Sequence, residues 1–193
     1  MTGRTHDLAA LTLLGAAVAL HPPASITLGT AVAAFLANQI GGIFPDIDQP
    51  TAPFWRNLPV GNLFGKLFGK ASGGHRFLTH SLIGLVGSGI LARLFLQFIH
   101  PLMPKINVGI VWWAFMIGVF SHLLMDSLTE EGVPWLLPLP FKIGFPPIKK
   151  WRIKTGHWFE KLIIFPGLLL CDLLLIQTNY SAILEYLRNR LTH

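Results

Sequence analysis

Apolar residues in this chain come in long runs, each closed by proline, histidine or charge. A helix crossing a hydrocarbon layer needs about 20 predominantly apolar residues, and the runs predict five spans. The first, Leu8 to Leu20, is short for a bilayer and ends at His21-Pro22-Pro23. The others are Ala24 to Phe44, ending at Pro45, then Phe77 to Ile99, Val108 to Leu128, and Leu162 to Ile176. Within the polar interval 45–74 an amphipathic piece, Phe54 to Phe68, carries aromatic side chains with Arg56 and Lys66, and Lys70 follows it. It is expected to lie in the interface. Residues 129–160, rich in Pro, Trp, Lys and Gly, read as an ordered interfacial loop, and Tyr180 to Leu191 as a surface helix. A basic start before a short apolar run also describes a signal peptide, but His21-Pro22-Pro23 interrupts the cleavage region, so the first segment is expected to stay as a span.

Composition agrees with a lipid-dissolved chain. Of 193 residues, 52% are hydrophobic and 12% charged, about half the charge of a soluble domain, and the mean hydropathy is +0.55. The expected fold is an all-α polytopic transmembrane bundle of four to five spans with interfacial helices and loops. It forms one integral membrane domain over 1–193: a motif-bearing core at 6–138, a basic interfacial loop at 139–161, and a last span with a surface helix at 162–193. Disorder, collagen and disulfide-rich scaffolds are excluded. Cys171 is the only cysteine, so no intrachain disulfide or cysteine-based zinc site can form.

A net charge of +6 would raise nucleic acid as a partner in a soluble protein. Here it sorts by side. With five spans, side A holds the N-terminus and the intervals 45–76 and 129–161. It carries Arg4, Arg56, Lys66, Lys70, Arg76, Lys142, Lys149, Lys150, Arg152, Lys154 and Lys161. Side B holds Arg93, Lys105, Arg188 and Arg190. Eleven against four makes side A cytoplasmic by the positive-inside rule. The basic excess is therefore topology, and no nucleic-acid partner is expected.

The same sorting gathers the candidate ligands. His6 precedes the first span, Asp46 and Asp48 follow the second, His75 and His80 open the third, and His122 and Asp126 close the fourth, all on side A. Four helix ends distant in sequence can thus build one polar cluster at the edge of a bundle. His122 and Asp126, spaced i, i+4, share a helix face and can ligate one ion or form a structural hydrogen bond. Asp46-Ile47-Asp48 follows Pro45; in an extended segment its two carboxylates converge and repel unless a cation intervenes, whereas an Asx-turn ending the helix needs only one Asp. His75 and Arg76 at the start of the third helix, with its free N–H groups, read as a site for phosphate or a developing oxyanion, or as a basic interfacial anchor. Oxygen ligands admit Mg, Mn or Ca, and imidazoles shift the expectation toward Zn, Mn or Fe. His21 and His100 lie on side B and His157 lies in the basic loop. Asp172 stands isolated within the fifth span.

Three motifs occur in order: Phe44-Pro45-Asp46-Ile47-Asp48-Gln49-Pro50, Gly74-His75-Arg76-Phe77-Leu78-Thr79-His80-Ser81, and Ser121-His122-Leu123-Leu124-Met125-Asp126-Ser127-Leu128-Thr129-Glu130-Glu131-Gly132-Val133-Pro134. With His6 near the start, this combination resembles the YdjM-like bacterial inner-membrane proteins described as membrane-bound metal-dependent hydrolases, over residues 6–138. The resemblance implies a metal and catalytic site made by His6, Asp46, Asp48, His75, His80, His122 and Asp126, with Arg76, Thr79 and Thr129 beside it. Many relatives have His in place of Gln49 and Pro in place of Glu130, so Glu130 or Glu131 is an alternative source of a carboxylate here.

The expected activity is metal-dependent hydrolysis at the cytoplasmic face of a bacterial inner membrane, on a phospholipid or polyprenyl phosphate ester. His6, Asp46, Asp48, His80, His122 and Asp126 are the expected ligands of one or two divalent ions, Zn, Mn or Mg. Asp48, His75, Arg76, Thr79 and Glu130 are the expected catalytic residues, with Asp48 as a candidate general base. Two other classes stay open. One is a lipid phosphatase using a phosphohistidine, which lacks a Pro-Ser-Gly-His element here. The other is a metal-binding transporter or sensor, whose ligands would be expected near the midplane rather than at one edge.

Overall fold

The computed structural model describes residues 1–49, 77–139 and 141–191, together with Trp55, Gly61, Leu63, Gly65 and Lys66. The described residues form an all-α bundle: α1 (Gly3–Leu20), α2 (Leu28–Ile43), α3 (Leu82–Ile99), α4 (Val108–Ser127), α5 (Phe165–Thr178) and α6 (Tyr180–Leu191). A 3-10 turn, Phe44–Asp48, extends α2, and a π-helical turn, Glu160–Ile164, leads into α5. Four segments are long and apolar enough to cross a membrane: Leu28–Asp48, Leu82–Leu102, Val108–Ser127 and Glu160–Thr178. Helix α1 does not meet that measure by itself. It begins five residues earlier than its apolar run, at Gly3, and so takes in Arg4 and Asp7. It nonetheless runs antiparallel to α2, with the Gln39 side-chain amide donating to the Asp7 carbonyl at 3.4 Å and Gly42 facing Ala10.

Helix α4 is the central element, contacting α1, α2 and α3. Its approach to α2 is set by glycines. A Cβ on Gly118 would strike the Asn38 carbonyl oxygen and come within 2.8 Å of the Gly42 nitrogen, and one on Gly41 would strike the Phe115 carbonyl oxygen. Lipid tails give helices no hydrophobic reason to associate, so close backbone packing over small residues and interhelical hydrogen bonds must hold them. Asn38, fully buried, supplies such a bond by donating Nδ2–H to the Ala114 carbonyl at 3.1 Å. The core beside it, Phe115, Val119, Leu123 and Val133, joins α4 to the loop that follows.

The third helix starts at Leu82, not at Phe77. Ser81 is its N-cap, its hydroxyl accepting from the Gly84 N–H at 3.1 Å. His80 therefore stands before the helix, not within it as the span Phe77 to Ile99 implied. The Leu82 N–H is also taken, by the Trp135 carbonyl at 3.0 Å. The start of α3 thus offers fewer free donors to an anion than expected. The C-terminal helix matches its sequence bounds, and Tyr186 there donates its hydroxyl to the Ile26 carbonyl at 3.0 Å, pinning α6 to the turn between α1 and α2. The interfacial piece Phe54 to Phe68 lies outside the described residues, apart from the single positions named above. Trp55 donates its indole N–H to the Ile47 carbonyl at 2.7 Å.

Candidate metal centre

Each cluster residue is presented by a helix end. His6 stands in the first turns of α1, Asp46 and Asp48 in the 3-10 turn closing α2, His80 just ahead of the Ser81 cap, and His122 and Asp126 on the last turns of α4. Close α2–α4 packing brings Gly42 beside His122, whose Nδ1 lies 2.6 Å from the Gly42 carbonyl. A carbonyl only accepts, so Nδ1 carries the proton and Nε2 presents a lone pair. A second relay orients His80. The Thr79 hydroxyl donates to Asp48 Oδ2 and lies 3.0 Å from His80 Nδ1, so it accepts from that ring edge and leaves Nε2 for the cluster. Carboxylates and carbonyls behind ligating histidines fix ring orientation and tautomer in this way.

The two Nε2 atoms lie 3.3 Å apart. Asp126 Oδ2 is 3.5 Å from that of His80 and 3.7 Å from that of His122, and Asp46 Oδ1 is 3.6 Å from each. Ligand atoms bound to one tetrahedral ion at about 2.0–2.1 Å stand about 3.3–3.4 Å apart. The observed separations therefore need contraction of only a few tenths of an ångström. On the other carboxylate oxygen, Asp126 Oδ1 is 3.3 Å from His6 Nε2 and accepts from the buried Met1 amino group at 2.6 Å. The His6 ring stacks on that of His122 with centroids 3.8 Å apart.

Three features fit this donor set to a divalent cation. The cluster is dry: the side chains of His6, His80, His122, Asp48 and Asp126 are at most 2% exposed, while Asp46 is 30% exposed. His6 Nδ1 is buried without a hydrogen-bond partner among the described residues, a loss of about 1–3 kcal/mol that a coordinated ion or water removes. Burial disfavours charge on His80, yet the carboxylates of Asp126 and Asp48 outweigh it and hold the ring's pKa above the ordinary histidine value. The buried His/Asp cluster can hold a metal ion.

The family profile described as YdjM inner membrane protein matches residues 1–187. The chain belongs to the YdjM family. It is a multi-pass inner-membrane protein by that membership and by its four apolar helices. An uncharacterized protein, YvsG, of Bacillus subtilis is 26% identical over 165 residues, 85% of this chain and 88% of its own length. The inner membrane protein YdjM of Escherichia coli is 28% identical over 128 residues, 63% of this chain. That match spans 56% of the Escherichia coli protein, a little over half its length. No solved structure matches the chain.

Against this YdjM-family pattern, the structure brings together His6, Asp46, His80, His122 and Asp126, with Asp48 and Thr79 on the far edge of His80. Asp46 and Asp48 do not converge as two residues of an extended segment. The 3-10 turn sends them to opposite nitrogens of one imidazole. His75 and Arg76 lie outside the described residues. Thr129 is buried and donates its hydroxyl to the Asp126 carbonyl at 2.7 Å, closing α4. Glu130 is half-buried and its carboxylate makes no hydrogen bond or ion pair among the described residues, and Glu131 is exposed. Asp172 lies on α5 with Oδ2 buried and without a hydrogen-bond partner among the described residues.

Two supports escaped the sequence reading. Asn38 was detectable in principle, as an amide inside an apolar span. Glu160 was not: its buried carboxylate accepts from the Thr2 N–H, the hydroxyls of Thr2 and Thr5, and the Gly156 N–H, all at 2.7–2.8 Å. It thereby anchors the start of α1, and so His6, to the foot of α5. No local pattern announces a contact across about 155 residues.

Proposed function

We propose that this YdjM-family protein is a membrane-bound metal-dependent hydrolase that cleaves a phosphate ester of a membrane lipid, a phospholipid or polyprenyl phosphate, at the cytoplasmic face. The observation that carries the reading is the convergence of Asp46 Oδ1 and Asp126 Oδ2 on the Nε2 atoms of His80 and His122, at separations of 3.3–3.7 Å that suit a divalent ion. The basic residues sorted to side A support the cytoplasmic assignment. Zinc suits the mixed imidazole and carboxylate set, with manganese the nearest alternative.

His80, His122, Asp46 and Asp126 would hold the ion, with His6 facing the other oxygen of Asp126. Bound there, a divalent ion would supply Lewis acidity, both to a water and to a phosphoryl oxygen. Asp46, the cluster member most open to solvent, faces both imidazoles with Oδ1, so its Oδ2 is the candidate general base. Asp48 is assigned the orienting role behind His80, because Thr79 and the His80 ring stand between it and the other ligands. His75 and Arg76 remain, from their motif, the candidates for stabilising phosphoryl charge.

Elemental analysis of detergent-purified protein is expected to find one or two divalent ions per chain, and a screen of lipid phosphates to find chelator-sensitive phosphate release. Undiminished release from metal-free protein, or ion flux in proteoliposomes with no turnover of any lipid, overturns the reading. The orienting role of Asp48 has its own test. Asp48→Asn keeps the shape but weakens the relay to His80, and a loss of about 10–100-fold in metal affinity is expected, measured by chelator competition.

A further inference from the structure

We infer that the loop between α4 and α5 is a docking surface for anionic lipid headgroups and gathers them at the end of the bundle that holds the metal cluster. From Gly132 to Phe159 the chain carries Lys142, Lys149, Lys150, Arg152 and Lys154 and no Asp or Glu. The backbone of this loop is held in place. Val133 and Ile143 exchange backbone hydrogen bonds at 2.8 Å, and Arg152 closes the following turn by donating Nε–H to the Pro146 carbonyl at 2.7 Å and Nη2–H to the Pro147 carbonyl at 3.1 Å. Gly144 leaves room for that guanidinium, since a Cβ there would meet three of its atoms at 2.5–2.9 Å. Arg152 is thus spent on the loop's own carbonyls. The four lysines are exposed, and their ammonium groups make no hydrogen bond or ion pair among the described residues.

Sidedness accounts for the sign of these charges but not for what stands between them. Phe141, Phe145, Trp151 and Trp158 are interspersed with the lysines, and each ring is 64–71% exposed. Rings left bare on ordered backbone are at home among headgroups, where aromatic side chains form interface belts. Position selects lipid over a soluble polyanion. Both ends of the loop are ends of membrane spans, Ser127 and Glu160, and its middle is tied back to the first of them: the Phe145 N–H donates to the Ser127 carbonyl at 2.8 Å and the Ile153 N–H to the Leu128 carbonyl at 2.9 Å. The rings and ammonium groups therefore stand at the headgroup level of one leaflet. A zwitterionic surface would satisfy the rings alone, whereas an acid-free run of cations beside a span favours net negative headgroups. Ser127 and Leu128 directly follow Asp126, so headgroups held by the loop collect at the cluster's end of α4.

The surface deepens the hydrolase reading by making its substrate a lipid of net negative headgroup, and it rests on that reading for the reaction, though not for the binding. The test places full-length protein in vesicles of phosphatidylcholine alone and of equimolar phosphatidylcholine and phosphatidylglycerol. Hydrogen exchange of the loop amides is followed in both, and the lipid that copurifies from the mixed vesicles is counted. Phosphatidylglycerol is expected to be enriched about 5-fold over phosphatidylcholine, equivalent to about 1 kcal/mol for one engaged lysine, and to slow exchange across 141–158. High salt is expected to reverse both effects. Lys142→Gln, Lys149→Gln, Lys150→Gln and Lys154→Gln combined are expected to abolish them, and Lys105→Gln on side B to change neither. Equal copurification of the two lipids with wild type overturns the inference, as does enrichment that leaves loop exchange unchanged or survives the four substitutions. The salt series on wild type decides even if the fourfold variant fails to fold. Enrichment without hydrolysis of any lipid phosphate leaves the surface standing and removes the hydrolase reading; hydrolysis without enrichment does the reverse.

Discussion

A His122→Ala protein is expected to lose its bound metal and, with it, on the order of 10³-fold or more in lipid phosphate release, a barrier increase of about 4 kcal/mol. The size follows from the position. His122 Nε2 lies within 3.7 Å of Asp46, His80 and Asp126, so a single truncation removes a donor that faces both carboxylates. It also leaves the ring of His6 without its stacking partner and the Gly42 carbonyl without its donor. Three carboxylates, Asp46, Asp48 and Asp126, then share too few cation donors, and affinity for a divalent ion falls with the loss of one ligand and of the geometry of the others. Metal content by elemental analysis and phosphate release are measured on the same preparation. His21→Ala, on the exposed turn at the opposite face, is expected to change neither. Metal retained at wild-type stoichiometry in the His122 variant would falsify its assignment as a ligand.

The second large effect concerns a residue with no chemistry of its own. Gly118→Val is expected to lower stability by about 3 kcal/mol, the upper end of overpacking costs, and to lower metal affinity with it. A Cβ at this position meets backbone of α2, the Asn38 carbonyl and the Gly42 nitrogen, and backbone cannot swing aside as a flexible side chain can. The helices must separate, and the separation pulls Gly42 from His122 and Asn38 from Ala114. Gly87→Ala on α3 is the matching control, since a Cβ there meets nothing within 4 Å, and a gain of up to about 1 kcal/mol from helix propensity is expected. Thermal unfolding in detergent reads the stability. A Gly118 variant as stable as wild type would show that α2 and α4 do not depend on backbone contact.

How much of this was legible in the chain varies by residue and for physical reasons. The spans read directly, because lipid permits a long apolar run only one regular conformation. The i, i+4 pair His122 and Asp126 also read directly, because helical spacing alone fixes its shared face. The pair Asp46 and Asp48 misread. An extended segment and a 3-10 turn both follow proline without strain, yet they send residues i and i+2 to different places, and only the packing of the turn against His80 chose between them. His80 likewise read as helical until the Ser81 cap proved to begin the helix after it, which frees His80 to point into the cluster.

By itself, then, the sequence determined a lipid-embedded helical protein, the gathering of its acids and histidines at one end of the bundle, and its place in the YdjM family, because each of these depends on composition and spacing along one chain. Tertiary structure decided which atoms meet. Glycine contact between α2 and α4 sets His122 against Gly42, and Glu160 ties α1 and His6 to the foot of α5. These are distances between segments as much as 155 residues apart, and the choice among helix contacts of similar strength emerges only when all the helices pack at once.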